Sequence, residues 1–158
     1  MYALWIALAM AALAGVYSLV DVHYVQATPT LASASLAQSM AAYRQAAIRF
    51  ALANPQTSGA VSADALIPYL AAGTASPLWR VYVTPNAEVA GSTVVVYTTS
   101  ASAAPAITGI EQLAFHSAFA GVASNGSVVS PGNAAVALPA GIAATVPNGT
   151  PVWIAQAY

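Results

Sequence analysis

The uncharged opening stretch of the sequence constrains the architecture most, because no charged side chain precedes Asp21. A helix rises about 1.5 Å per residue, so the apolar run from Tyr2 to Val20 is long enough to cross a hydrocarbon core of about 30 Å. No apolar run of comparable length recurs further along the chain. The pattern predicts one uncleaved membrane anchor with a juxtamembrane helix over residues 1–27, followed by a periplasmic domain over residues 28–158.

Cleavage is an alternative interpretation of this stretch. A secretory signal usually has a basic N-terminal region, which this sequence lacks, but the small residues ALAG at 12–15 offer a cleavage site. A type IV prepilin would place a short basic leader before a glycine and the apolar helix after it, whereas here the apolar stretch lies before Gly15. We therefore expect an uncleaved anchor and keep cleavage as the alternative.

The predicted anchor also indicates a location and a mode of assembly. No lysine or arginine flanks the span, so the N-terminal amine alone favours a cytoplasmic N-terminus. This predicts a single-span membrane protein with its C-terminal domain across the membrane; in a bacterium, that is the inner membrane with the domain in the periplasm. Small residues recur at every fourth position of the span and would let a second helix approach closely, so one interpretation is an oligomer formed through the membrane helix. These residues are Ala3, Ala7, Ala11 and Gly15. The alternative is that an alanine-rich chain produces this spacing by chance.

The scarcity of charge excludes whole classes of function. Charged residues make up 4% of the chain and the formal net charge is −1, so there is no basic stripe to neutralise a nucleic-acid backbone. We therefore expect no nucleic-acid partner. The absence of cysteine excludes disulfides and thiolate metal sites. The charged residues are Asp21, Arg44, Arg49, Asp64, Arg80, Glu88 and Glu111.

The segment TLASASLAQSMAAYRQAAIRFALANP predicts an amphipathic helix that ends at Asn54-Pro55. Its apolar residues recur at spacings of one helical face: Leu36, Met40, Tyr43, Ala47 and Phe50. This stripe is too short for a coiled coil, so we expect it to pack on the sheet of its own domain. Arg44 and Arg49 lie elsewhere on the helix and are expected to be solvated or paired with carbonyl groups at the helix end.

The remainder of the chain predicts an antiparallel sheet. Ser62 is placed to cap a short helix that Pro68 interrupts. The runs LWRVYV and STVVVYTT predict a hairpin, and SVVS and TPVWIAQAY predict two more strands. AITGIEQLAFHSAFAGVASNG predicts a second helix that Asn125-Gly126 ends. The predicted fold class is α+β: an N-terminal transmembrane helix and an amphipathic helix, followed by a small antiparallel sheet of three to five strands with one or two packed helices.

The polar residues form no recognisable catalytic pattern. His116 and Ser117 are adjacent, so on a helix they point about 100° apart and cannot act as a base and its nucleophile. Neither a zinc-binding HExxH nor a phosphate-binding GxxxxGK[ST] occurs. We therefore predict no catalytic, cofactor or metal site and no enzymatic activity. Any exposed patch suited to protein contacts would draw on aromatic residues, although most of these are expected in the core. They are Trp79, Tyr82, Tyr97, Trp153 and Tyr158.

The stretch SMAAYRQAAIRFALANPQTSGAVSADALIPY resembles the PilM family of bacterial type IVb pilus biogenesis proteins. That family has a single N-terminal membrane segment and a helix with a tyrosine-arginine pair. The helix ends in an asparagine- or histidine-proline and leads into a G-x-V-x-x-x-x-L stretch. The matching residues of this chain are Tyr43, Arg44, Asn54, Pro55, Gly59, Val61 and Leu66.

The resemblance implies a non-enzymatic, inner-membrane-anchored accessory or scaffold component of a type IVb pilus system, of the kind found with conjugative thin pili. It implies contacts with other pilus assembly proteins, namely the inner-membrane platform, the secretin or the pilin. It carries over no catalytic, cofactor or metal residue. The alternative is a minor pilin or adhesin-like subunit that is exported and incorporated into the pilus fibre, with ALAG as its cleavage site.

Overall fold

The computed structural model describes residues 30–71, 75–87 and 89–158. The helices are α1 (Leu31–Ala53), α2 (Ala63–Leu66), α3 (Ala106–Leu113) and α4 (Ala140–Ala143), with short 3-10 helices at Ile67–Tyr69 and Ala101–Ala103. The strands are β1 (Gly59–Val61), β2 (Arg80–Pro85), β3 (Ser92–Tyr97), β4 (Ala120–Ser124), β5 (Ser127–Val129), β6 (Val136–Ala137) and β7 (Pro151–Ala157). They form one sheet in the order β1-β2-β3-β7-β4-β5-β6, and every neighbouring pair is antiparallel.

Helix α1 begins and ends as its sequence predicts. The Thr30 hydroxyl accepts a hydrogen bond from the Ser33 N–H at 3.3 Å and so caps the first turn. At the other end, the Asn54 side-chain amide donates to the Phe50 carbonyl at 2.9 Å. The following Pro55 has no N–H with which to continue the helix. The predicted amphipathic helix and its end are confirmed.

Strand β7 lies at the centre of the sheet although it is last in the sequence. On one side it pairs with β3 from Val152, opposite Tyr97, to Ala157, opposite Ser92. On the other side it pairs with β4 only as far as Trp153. Among the described residues, the second half of β7 is therefore flanked by a strand on one side only.

Different elements cover the two faces of the sheet. Helices α1 and α3 pack on one face over a core that includes Met40, Val94 and Ala155. The other face carries a smaller core, which includes Val95 and Ile142, beneath α4 and its neighbouring connections. The predicted hairpin is confirmed as β2 and β3. The valines of β3 alternate between the two cores: Val94 and Val96 face α1, and Val95 faces the other side.

The predicted second helix is wrong beyond Leu113. Helix α3 ends there because Phe115 and His116 adopt left-handed conformations, with φ of 53° and 55°. The Phe115 N–H donates to the Gln112 carbonyl at 3.0 Å, and the His116 N–H donates to the Glu111 carbonyl at 2.7 Å. These two bonds together form a Schellman motif, which satisfies carbonyls that the end of the helix would otherwise leave without partners.

The segment AGVAS, predicted as the end of that helix, forms β4 instead. Gly121 allows the close approach of β5, because a Cβ atom there would collide with the Val129 carbonyl. Asn125-Gly126 then forms the two-residue turn between β4 and β5, with φ of 48° and 73°. Positive φ at both central residues is the geometry of a type I′ hairpin turn.

The predicted fold class and localisation need correction. The sheet has seven strands rather than three to five. In residues 30–71, 75–87 and 89–158, no helix combines the length and the apolar character needed to cross a bilayer. The predicted N-terminal transmembrane helix and the single-span inner-membrane localisation are therefore not supported. The stretch that carries that prediction, with its ridge of Ala3, Ala7, Ala11 and Gly15, lies outside the described residues.

Candidate functional site

A cleft of about 440 Å³ opens beside the second half of β7, where β4 no longer flanks it. Strand β7 forms one wall, the connection from α3 to β4 forms the other, and α1 contributes one side chain. The lining residues are Arg44, Leu113, Ala114, Phe115, Ser117, Phe119, Trp153, Ile154, Ala155, Gln156 and Tyr158.

Tyr43, which precedes the cleft residue Arg44 in sequence, has a structural role. Its side chain is buried in the core beneath α1. Its hydroxyl donates to the Ser76 carbonyl at 2.8 Å and accepts from the Ser76 N–H at 2.5 Å. Tyr43 therefore holds the segment that leads into β2 against helix α1.

Arg44 extends into the cleft and lies over the ring of Trp153, with 5.0 Å between the guanidinium carbon and the ring centroid. Its Nε is buried without a hydrogen-bond partner. Burial lowers the pKa of Arg44 from its ordinary value, and no described carboxylate opposes that shift. An arginine keeps its positive charge even when burial lowers its pKa in this way. Arg44 is not paired with helix-end carbonyls of the described residues, which was one of its two expected environments: it is a half-buried cation that lies over an aromatic ring.

The other residues of the family motif shape the fold and lie outside the cleft. Asn54 and Pro55 end α1. Gly59 begins β1 with a φ of 119°, a conformation that side-chain-bearing residues rarely adopt. Val61 ends β1, and Leu66 is buried in the core beneath α1. Of the seven motif residues, the structure places Arg44 alone in the lining.

The rim of the cleft exposes large apolar side chains. Phe115 is 92% exposed and Tyr158 is 87% exposed, with Phe119 and Leu113 beside them. Phe115 occupies the left-handed position of the Schellman motif that glycine usually takes, which costs roughly 1–2 kcal/mol. Exposed apolar clusters and strained residues are both features of contact surfaces.

Sequence reasoning identified Tyr158 but missed Phe115 and Phe119. The sequence predicts that both residues lie in a helix whose apolar side faces the core. No glycine or asparagine at 115–116 signals the turn that exposes them. The glycine within AGVAS was the available signal, since an isolated glycine in a strand often marks a close approach of two backbones.

The cleft offers little for catalysis. Ser117 lines it, but its described lining includes no histidine, aspartate or glutamate side chain. The Ser117 hydroxyl accepts a hydrogen bond from the Phe119 N–H at 3.3 Å. Outside the lining, burial raises the pKa of the Glu111 carboxyl, and the charge of His116 partly offsets that shift. Within the part of the chain that the structure describes, no group of three or more acidic or histidine side chains is placed to hold a metal ion.

Comparison with known proteins identifies the family of the chain. The PilM family model matches residues 8–154, which extends the resemblance from the α1 region to most of the sequence. No curated protein and no solved structure matches the chain. The match supports a role in pilus biogenesis and interaction with other pilus assembly proteins in general. The chain belongs to the PilM family.

Proposed function

We propose that this protein is a non-enzymatic scaffold component of a type IV pilus assembly system, and that the cleft beside β7 is where it docks another component of that system. The partner is the assembly platform, the secretin or the pilin. The observation that carries the proposal is the combination of exposed aromatic residues at the rim with a cation, Arg44, that has no acidic partner among the described residues.

Three features support docking over catalysis. Aromatic residues and arginine are the residue types most enriched at the centres of protein interfaces. The cleft holds Ser117 without a general base among its described lining residues, so the hydroxyl has no group to activate it there. A half-buried cation without a counter-ion is costly, and an acidic group from a partner would offset that cost.

The first test removes the charge of Arg44 in a piliated strain. We expect the Arg44→Gln variant to accumulate at the normal level but to reduce the number of pili per cell several-fold, because a partner's acidic group would lose its cation. Arg49→Gln is the matched control: it removes a charge from the same helix at an exposed position outside the cleft. Pili are counted by electron microscopy, and protein levels are measured by immunoblot.

Two results would contradict the proposal. Normal piliation in Arg44→Gln and in a Phe115→Ala, Tyr158→Ala double variant would mean that the cleft is not used for docking. Recovery of the protein in sheared fibres in stoichiometric amounts would favour the pilus-subunit alternative over a scaffold.

A further inference from the structure

Beside the cleft, the second half of β7 presents backbone hydrogen-bonding groups that no described residue pairs with. On the β4 side, the last bond to β7 is the one that the Ile154 N–H donates to the Phe119 carbonyl at 2.7 Å. The Phe119 N–H donates to the Ser117 hydroxyl instead of to the Ile154 carbonyl. Phe119 and Ile154 are therefore joined by one of the two backbone hydrogen bonds that such an antiparallel pair can form.

Antiparallel pairing fixes which groups face the vacant side. Successive residues of a strand direct their N–H and C=O groups to opposite neighbours. Because the Ile154 N–H points away from β3, so do the N–H and C=O of Gln156, two residues further along. No described residue forms a backbone hydrogen bond with Gln156 on that side. The Gln156 side chain is held on the β3 side, where its amide donates to the Thr93 hydroxyl at 3.1 Å.

Cavities lie on both sides of this open edge. The cleft that contains Arg44 is on the face covered by α1. A second cavity of about 420 Å³ is on the other face and includes Thr93 and Leu138 in its lining. The two cavities share Phe119, Ile154 and Gln156. A strand added to the edge would direct alternate side chains into one cavity and then into the other.

We propose that the open edge of β7 accepts an extended segment of another pilus assembly protein as an added strand, and that an acidic side chain of this segment binds Arg44. The inference rests on the docking role proposed above and specifies its geometry. Backbone groups of Ile154 and Gln156 supply main-chain hydrogen bonds, and the two cavities select the alternating side chains. The occupant is acidic because the cation in the first cavity has no described counter-ion.

The probe is a set of overlapping peptides of about ten residues, the upper range of strand length, taken from the platform, secretin and pilin proteins of the same pilus system. We expect binding by peptides that contain an aspartate or glutamate within an alternating apolar pattern. Binding should shift the backbone amide NMR signals of Ile154, Gln156 and Tyr158. If no peptide shifts these signals, the inference is wrong.

Methylation of peptide nitrogens tests strand addition directly. Only alternate N–H groups of an added strand face β7. N-methylation of every second residue should therefore abolish binding in one register and preserve it in the other. An equal effect of both registers would overturn strand addition.

A pair of variants tests the same edge from the protein side. Gln156→Pro removes the open N–H without removing a described backbone bond, and Gln156→Ala removes only the side-chain bonds. We expect the proline variant alone to lose peptide binding. If proline prevents folding, the methylated peptides against the unchanged protein decide the question.

The charge contact has its own control. Replacing the acidic residue of a bound peptide by its amide should weaken binding about tenfold to the unchanged protein, and hardly at all to Arg44→Gln. An equal loss against both proteins would mean that Arg44 does not bind the acid. The docking role and the inference can fail separately: piliation lost in Arg44→Gln without peptide binding at β7 would leave docking intact and refute strand addition.

Discussion

The two faces of the sheet are stabilised in different ways. On one face, the 23-residue helix α1 covers a continuous core that includes Met40 and Tyr43. On the other face, the four-residue helix α4 and irregular connections cover a smaller core that includes Ile142. The first face is stabilised by the apolar side of one long helix, whereas the second face is stabilised by short segments that pack on the sheet.

The cleft lies between the two covers. Helices α1 and α3 pack on one face of the sheet. Strand β4 leaves β7 after Trp153, and the connection from α3 diverges at that point. The open edge of β7 thus lies between the two covers: Arg44 of α1 lines the cavity on one face, and Ala140 of α4 lines the cavity on the other.

The largest expected effect compares how much the cores on the two faces of the sheet contribute to stability. Met40 is fully buried beneath α1, so Met40→Ala should lower the free energy of unfolding by about 2–5 kcal/mol. Ile142→Ala on the other face should fall near the lower end of that range, because α4 is short enough to settle into the space left behind. Denaturant unfolding measures both. Hydrogen exchange should show faster exchange throughout the protein for Met40→Ala and mainly near α4 for Ile142→Ala. Equal losses and equal exchange patterns would show that the two covers are equivalent.

The second expected effect concerns the buried hydroxyl beneath α1. Tyr43→Phe removes both bonds to Ser76 and leaves a backbone N–H and C=O without that partner, which should cost about 1–3 kcal/mol. Tyr69→Phe is the control, because this half-buried ring contacts Phe50 edge to face at 5.8 Å and the substitution keeps the ring. Thermal unfolding of both variants distinguishes the loss of the hydrogen bonds to Ser76 from the loss of a tyrosine hydroxyl as such. A loss in Tyr69→Phe as large as that in Tyr43→Phe would contradict the role given to the Tyr43 hydroxyl.

The elements of the α1 face were predictable from sequence because the sequence signals of each element are local. The apolar stripe of α1, its asparagine-proline end and the β-branched runs of β2 and β3 each identify an element without reference to the rest of the chain. Strand β4 was not predictable in this way. Its alanine-rich sequence favours a helix in isolation, and its strand conformation depends on pairing with β5 and β7.

The candidate site was less predictable than the fold. Arg44 stood out as a residue of the family motif, but its position over Trp153 joins residues that are far apart in sequence. The rim residues Phe115 and Phe119 are exposed because α3 ends at Leu113, an end that the sequence-based prediction placed later. A left-handed phenylalanine has no local sequence signal, because glycine or asparagine usually takes that position.

The smallest expected effect is a pH dependence of stability caused by Glu111, which is a half-buried carboxyl on α3. Burial raises its pKa in the folded state above the ordinary value of 4.5, and the charge of His116 offsets only part of that shift. Between the unfolded and folded pKa values the folded state binds more protons, so stability falls as the pH rises through this window and stays lower above it. Glu111→Gln should therefore match the unchanged protein below pH 4.5 and be slightly more stable near neutrality. Denaturant unfolding across this pH range measures the difference. A Glu111→Gln variant that is less stable near neutrality would mean that the carboxylate is favourably paired, which contradicts burial as the dominant cause.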